Sequence, residues 1–161
     1  MFKKIKGIIG SGESGGEDSL VSIKSDKNGA ALGEEQQISV IALLIYIASI
    51  DEEVTEEEAE SICLLSEYNL GLSQEEVPAL VEKALEMRRV KSKIDDIALI
   101  VNKSFSVEQR VRIVAMLWKL VMADNKIERS EEKGIVKIST IMQLSLDQAE
   151  EARNLAEEGK V

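Results

Sequence analysis

A duplicated block constrains this chain more than anything else in it. Ile38–Glu58 reads ISVIALLIYIASIDEEVTEEE: an apolar segment, a sharp acidic loop and the opening of a second helix. Val111–Glu131, VRIVAMLWKLVMADNKIERSE, repeats that plan 73 residues later. The offset places Asp51 on Asp124, Ala42 on Ala115, Leu44 on Leu117, Val54 on Ile127, Glu58 on Glu131 and Ile62 on Ile135. Glu35-Gln36 falls on Glu108-Gln109, and one added residue near Gly71 aligns Leu72-Ser73-Gln74 with Leu146-Asp147-Gln148. Two copies are too few for a solenoid, so we expect one compact domain with internal pseudo-two-fold symmetry. Each copy puts an Asp at the end of one helix and a Glu in the first turn of the next.

The long periodic apolar segments carry a single proline, which favours an all-α chain. With only two Phe, two Tyr and one Trp, the core must come from Ile, Leu, Val, Ala and Met. A chain of 161 residues can bury such a core. Seven helices are expected. The first, Glu34–Ser49, has a buried stripe of Ile38, Ile41, Leu44/Ile45 and Ala48. Thr55-x-x-Glu58 is a capping box that starts the second, Glu56–Leu70, and Gly71 suits its C-terminal end. Ser73-x-x-Glu76 opens the third, with Pro78 near its start, and it runs to about Arg89. Ser92 caps the fourth, about Lys93–Lys103, after a basic join of Arg88, Arg89, Lys91 and Lys93. Ser106-x-x-Gln109 caps the fifth, Val107–Met122. The sixth is about Arg129–Met142 and contains Gly134, which costs roughly 1 kcal/mol relative to Ala unless close packing demands it. Asp147-x-x-Glu150 opens the seventh, ending near Gly159. The helical domain is thus expected over residues 34–161, with repeats of about 34–90 and 107–158.

Residues 1–33 read as a flexible or weakly amphipathic segment. Phe2, Ile5, Ile8 and Ile9 fall at helical spacing among Lys3, Lys4 and Lys6, and GSGESGG follows. Weak peripheral contact of residues 1–10 with an anionic membrane face stays open beside a frayed start that folds back on the domain. No stretch reaches the length of a spanning helix, and Met1–Gly10 lacks a secretory core. A cytoplasmic protein, peripheral at most at the inner face of the membrane, is expected.

Charge narrows the chemistry. The net charge of −10 is unevenly spread: residues 34–86 hold one basic and fourteen acidic side chains, whereas residues 87–161 stand near neutrality. Such a field disfavours nucleic acid, which needs clustered Lys and Arg, and favours cations or a basic partner surface. With no histidine and one cysteine, Cys63, a zinc or copper site is not expected, and Cys63 has no base to activate it. No phosphate loop, nucleophile triad or cofactor fingerprint is present, so neither an enzyme nor an organic cofactor is expected.

The two acidic loops share a pattern: Asp, two variable residues, a β-branched apolar residue, three more, then Glu. It resembles the A-D-G-x-[IV]-x-x-x-E signature of the TerB family, the tellurite-resistance B-like domains. The resemblance spans about Glu34 to Glu158 and includes Leu70–Glu76, echoed by Leu144–Glu150. It implies an all-α fold of about seven helices whose acidic positions meet in a proposed divalent-cation site. It also implies a bacterial stress-response role, often in membrane-associated assemblies. The positions carried over are Asp51, Glu58, Asp124 and Glu131. The family's glycine is Glu52 in one copy and Asn125 in the other, and Asn tolerates a left-handed backbone better than Glu. The preceding alanine is kept as Ala123 but is Ile50 in the first copy.

The duplication supports the same reading: Asp at the end of one helix can face Glu one turn into the next, and two such loops could bring four carboxylates together. Two carboxylates brought to contact repel by about 4 kcal/mol at intermediate dielectric, so a shared site needs a cation or raised pKa values. Oxygen-only donors suit Ca2+, Mg2+ or Mn2+. The loops lack the ligand spacing of an EF-hand. Plain helix capping is the competing reading, with Glu58 as the partner of Thr55. Against it, Glu131 recurs where Glu128 has replaced the capping Thr. The expectation is therefore a non-enzymatic adaptor or sensor of a stress-response assembly, with protein partners and a cation held between the loops. The alternative is a metal-free interaction module whose acidic face docks a basic partner.

Overall fold

A computed structural model describes residues 22–50, 54–91, 93–123 and 126–161. Seven helices carry most of them: α1 (Glu34–Ala48), α2 (Glu56–Leu70), α3 (Val77–Val90), α4 (Ile94–Ser104), α5 (Val107–Val121), α6 (Arg129–Ile141) and α7 (Leu146–Glu157). Among the described residues no strand forms beyond an isolated bridge between Ser25 and Ala31.

α1 and α5 make the centre. Of Ile38–Ala48, only Tyr46 is not buried, and Val111–Val121 is buried except at Lys119. The single stripe expected on α1 is therefore too narrow: Val40, Leu43 and Ile47 are fully buried as well. The reason is that α3, α4 and α5 pack round α1 from different sides. A helix that is apolar all round belongs in the middle of a domain. Each such Ile or Leu contributes about 1.5–3 kcal/mol by leaving water.

The duplication is visible in the packing. α1 packs on α2 and α3 as α5 packs on α6 and α7, and α4 links the two halves. Each half also reaches into the other, α1 onto α6 and α2 onto α5. The crossing of α1 on α6 is very close. A Cβ placed on Gly134 would lie 2.5 Å from Ile50 Cδ1 and 3.0 Å from Ile47 Cδ1. This is the close packing that offsets a mid-helix glycine.

Local rules set most helix ends. α2 and its Gly71 terminus, at φ 70°, fall where expected. Ser106 and Gln109 exchange hydrogen bonds of 3.2 and 2.8 Å at the start of α5. Ser73 and Glu76 do the same at 3.2 and 2.8 Å, but over a turn, and α3 proper begins at Val77 with Pro78 in its first turn. Pro78 needs no donor there. Lys93 precedes α4 without a side-chain cap bond, and Ser92 lies outside the described residues.

The last helix corrects the expected register. Its box is Ser145 with Gln148, at 3.1 and 2.9 Å, rather than Asp147 with Glu150. Gln143 takes the left-handed backbone at φ 59°, as Gly71 does in the first copy. Gly71-Leu72-Ser73 therefore matches Gln143-Leu144-Ser145, and the second copy has lost a residue there rather than gained one.

The Ser73 box gives a titration to test. The Glu76 carboxylate accepts from the Ser73 backbone N–H and hydroxyl, which pulls its pKa below the ordinary glutamate value. A depressed pKa adds stability above the unfolded-state value, and this is lost as pH falls through the folded value. We expect the Glu76 carboxyl, followed by carbon-detected NMR, to titrate below an unconstrained glutamate. Ser73→Ala keeps the backbone N–H bond and should move it up only in part, and a wild-type midpoint at the ordinary glutamate value would remove the explanation.

Residues 22–33 lie against the helices. Ile23 is fully buried, Gln109 Nε2 donates to the carbonyls of Ser22 at 3.0 Å and Ser25 at 2.9 Å, and Lys27 N–H donates to Ser104 O at 2.9 Å. Residues 1–21, with the amphipathic run, lie outside the described residues. Among the described residues no helix is long and apolar enough to cross a membrane.

Candidate functional site

Of the four carboxylates singled out in the sequence, Glu58 and Glu131 are described and Asp51 and Asp124 are not. Both glutamates sit in the first turn of their helices, and each is 6 % exposed. Glu58 Oε1 accepts from the Thr55 N–H at 3.0 Å and the Thr55 hydroxyl at 3.2 Å, while Thr55 Oγ1 accepts from Glu58 N–H at 3.1 Å. Among the described residues nothing donates to Glu58 Oε2.

The second copy corrects one argument. Glu131 Oε1 accepts from Glu128 N–H at 3.1 Å, so it caps its helix although Glu128 makes no side-chain cap bond. The two halves of a capping box are separable: the N3 carboxylate needs only the backbone N–H of the N-cap residue. Recurrence of Glu131 without a Thr is therefore explained by capping as well as by a shared site.

The packing brings the C-terminal end of α1 against α6. Ile50 lies two residues beyond α1, immediately before Asp51 in the sequence, and its Cδ1 packs on Gly134. Gly134 lies three residues beyond Glu131 on α6. The chain entering the first acidic loop thus rests on the helix leaving the second. Arg88 fastens the same end: Nη1 donates to Ser49 Oγ at 2.9 Å, and the guanidinium stands 5.5 Å from the Tyr46 ring centroid. Among the described residues no three acidic or thiol side chains gather as a metal site.

The two described glutamates offer oxygen, the donor type that hard cations take. Buried carboxylates in a first helical turn leave oxygens beside the positive end of the helix dipole, and Glu58 has one oxygen uncommitted. Nothing softer is at hand. Cys63 is half-buried on α2, and burial, then Glu67, then Glu60, raises its thiol pKa, which disfavours the thiolate. Trp118 is buried in α5 beneath Arg153, whose guanidinium lies 4.6 Å from the ring centroid and pairs with Glu132 and Glu157 at 3.5 Å each.

The family model described as tellurite resistance protein TerB matches residues 37–154, both acidic loops included. The chain belongs to the TerB family. Its fold is also that of a crystal structure titled a protein of unknown function from Porphyromonas gingivalis W83. That protein is 15 % identical, with a TM-score of 0.62, and the match covers 79 % of this chain and 97 % of that one. No curated protein sequence matches. The family match spans the duplication, and the structural likeness speaks for the arrangement of helices alone.

Proposed function

We propose that this TerB domain is a non-enzymatic adaptor or sensor of a stress-response assembly, and that it holds a divalent cation between its two acidic loops. Asp51, Glu58, Asp124 and Glu131 are the ligands of that reading, and Ca2+, Mg2+ or Mn2+ the ions their oxygens suit. The observation that carries it is the seat of Ile50 on Gly134, which draws the start of one loop to the helix that carries Glu131. The net −13 of residues 34–86 adds a field that attracts cations.

Titration calorimetry of the full chain with each ion tests the proposal. We expect saturable heat with at least one of them, abolished when Asp51 and Asp124 are both changed to Asn. No heat and no melting shift at millimolar ion would remove the cation.

A second reading rests on the capping bonds themselves. Thr55 and Glu128 N–H groups occupy one oxygen of each glutamate without any metal. The acidic face then serves to dock a basic protein surface. Under that reading the Asn pair weakens a partner complex while leaving the response to cations unchanged.

A further inference from the structure

Arg112 is a buried cation without an anion. It lies on α5, 7 % exposed, and its Nε donates to Asn69 Oδ1 at 3.1 Å. Asn69 is itself buried and spends its amide nitrogen on Leu65 O at 3.0 Å. Among the described residues, the four N–H groups on Nη1 and Nη2 find no hydrogen-bond acceptor and no carboxylate pairs with the side chain. Burial lowers the affinity of the guanidinium for its proton, and the Tyr68 phenol partly offsets this. No fully buried polar side-chain atom in the described residues is left without a partner. The two amino nitrogens therefore reach the surface through the small opening that the exposure of Arg112 leaves.

Its neighbour on the same helix, Arg110, shows what a satisfied arginine looks like in this fold. Arg110 donates to the carbonyls of Phe105 and Met142 and so closes the C-terminal end of α6. Arg112 stands near the corresponding end of α2 and has an amide alone. A second basic side chain covers that helix end: the Lys24 methylenes lie 3.1–3.2 Å from where a Gly71 Cβ would stand, two residues past Asn69, and among the described residues its ammonium has no ion pair. Gln109, one turn before Arg112, pins Ser22 and Ser25 on either side of Lys24. In a chain of net charge −10, the C-terminal end of α2 thus has one basic side chain bonded to Asn69 and another lying over Gly71.

We propose that Arg112, with Lys24 over the same end of α2, binds one oxyanion group, a carboxylate or a phosphate. The guanidinium fork presents two parallel N–H donors that match two oxygens of either group. The surrounding negative field disfavours a polyanion, so a small ligand with one such group is the occupant.

The test is NMR of the full chain, following the Arg112 Nε–Hε signal, assigned by its loss in Arg112→Lys. Sodium phosphate and sodium acetate are titrated separately against sodium chloride at matched ionic strength. We expect a saturable shift with phosphate or acetate and none with chloride. Phosphate alone assigns a phosphate group, acetate alone a carboxylate, and Lys24→Ala should weaken binding three- to tenfold. A shift that does not saturate with either anion, or that chloride reproduces, overturns the proposal and leaves Arg112 as a cation facing the negative end of the α2 dipole. If Arg112→Lys folds poorly, through-bond assignment of the same signal in the wild type keeps the titration decisive.

Discussion

Gly134→Val should lower the unfolding free energy by about 3 kcal/mol, and Gly134→Ala by about 1 kcal/mol, the upper and lower ends of overpacking a close-packed contact. Alanine in a helix interior is otherwise favoured over glycine by about 1 kcal/mol, so a net loss is a demanding expectation. It follows from the crossing of α1 on α6. The added Cβ would meet Ile50 Cδ1 at 2.5 Å and Ile47 Cδ1 at 3.0 Å. Ile47 is fully buried, so it has nowhere to swing, and valine adds two further methyls at the same point. Urea unfolding of both variants measures the effect through the midpoint, with the slope unchanged. Ile50→Val removes the nearer methyl, and the double variant with Gly134→Ala should recover at least 0.5 kcal/mol of coupling. A Gly134→Ala protein more stable than the wild type would mean that α1 and α6 do not cross here. Because Ile50 leads directly into Asp51, Gly134→Val should also blunt any response to cations.

That contact marks where sequence reasoning stops. A glycine inside an apolar helical pattern was legible as a cost, but the partner that makes it necessary lies 84 residues away. Helix ends were legible because capping is local: Thr55 with Glu58 and Ser106 with Gln109 form within four residues. The seventh helix was misread because Gln143 adopts a backbone that was looked for only at glycine, which shifted the box from Ser145 to Asp147. The extent of burial on α1 was missed because the pattern of one helix does not say how many others surround it. In the sequence, Glu131 without a hydroxyl at Glu128 weighs against plain capping, yet the backbone N–H of Glu128 is enough. The unpaired state of Arg112 left no trace in the sequence, since a missing partner is a property of the fold. Of the candidate ligands, Asp51 and Asp124 lie outside the described residues, so the two glutamates and their flanking helices carry the argument.

Changing both Glu58 and Glu131 to Gln should leave the cation-free protein at least as stable as the wild type and remove its stabilisation by cations. Glutamine keeps an Oε1 acceptor for the Thr55 and Glu128 N–H groups, so the caps survive. What it deletes is charge. If four carboxylates share one end of the molecule, deleting two charges relieves a repulsion of about 4 kcal/mol for each close pair at intermediate dielectric. If the glutamates are caps and nothing more, each loses its favourable interaction with a helix N-terminus, about 0.3–1 kcal/mol, and the double variant is weaker. The two readings thus differ in sign without any metal present. With cation at a hundred times its dissociation constant, the wild type should gain about 2.7 kcal/mol and the Gln pair nearly nothing. Alanine at either position is the control: it removes the acceptor from a buried N–H and should cost about 1–2 kcal/mol under both readings. Thermal or urea unfolding in chelator and then in Mn2+, Ca2+ or Mg2+ measures all of this. A Gln pair that is destabilised in chelator, beside a wild type indifferent to every ion, would reduce the acidic loops to helix caps and leave the acidic face to dock a protein.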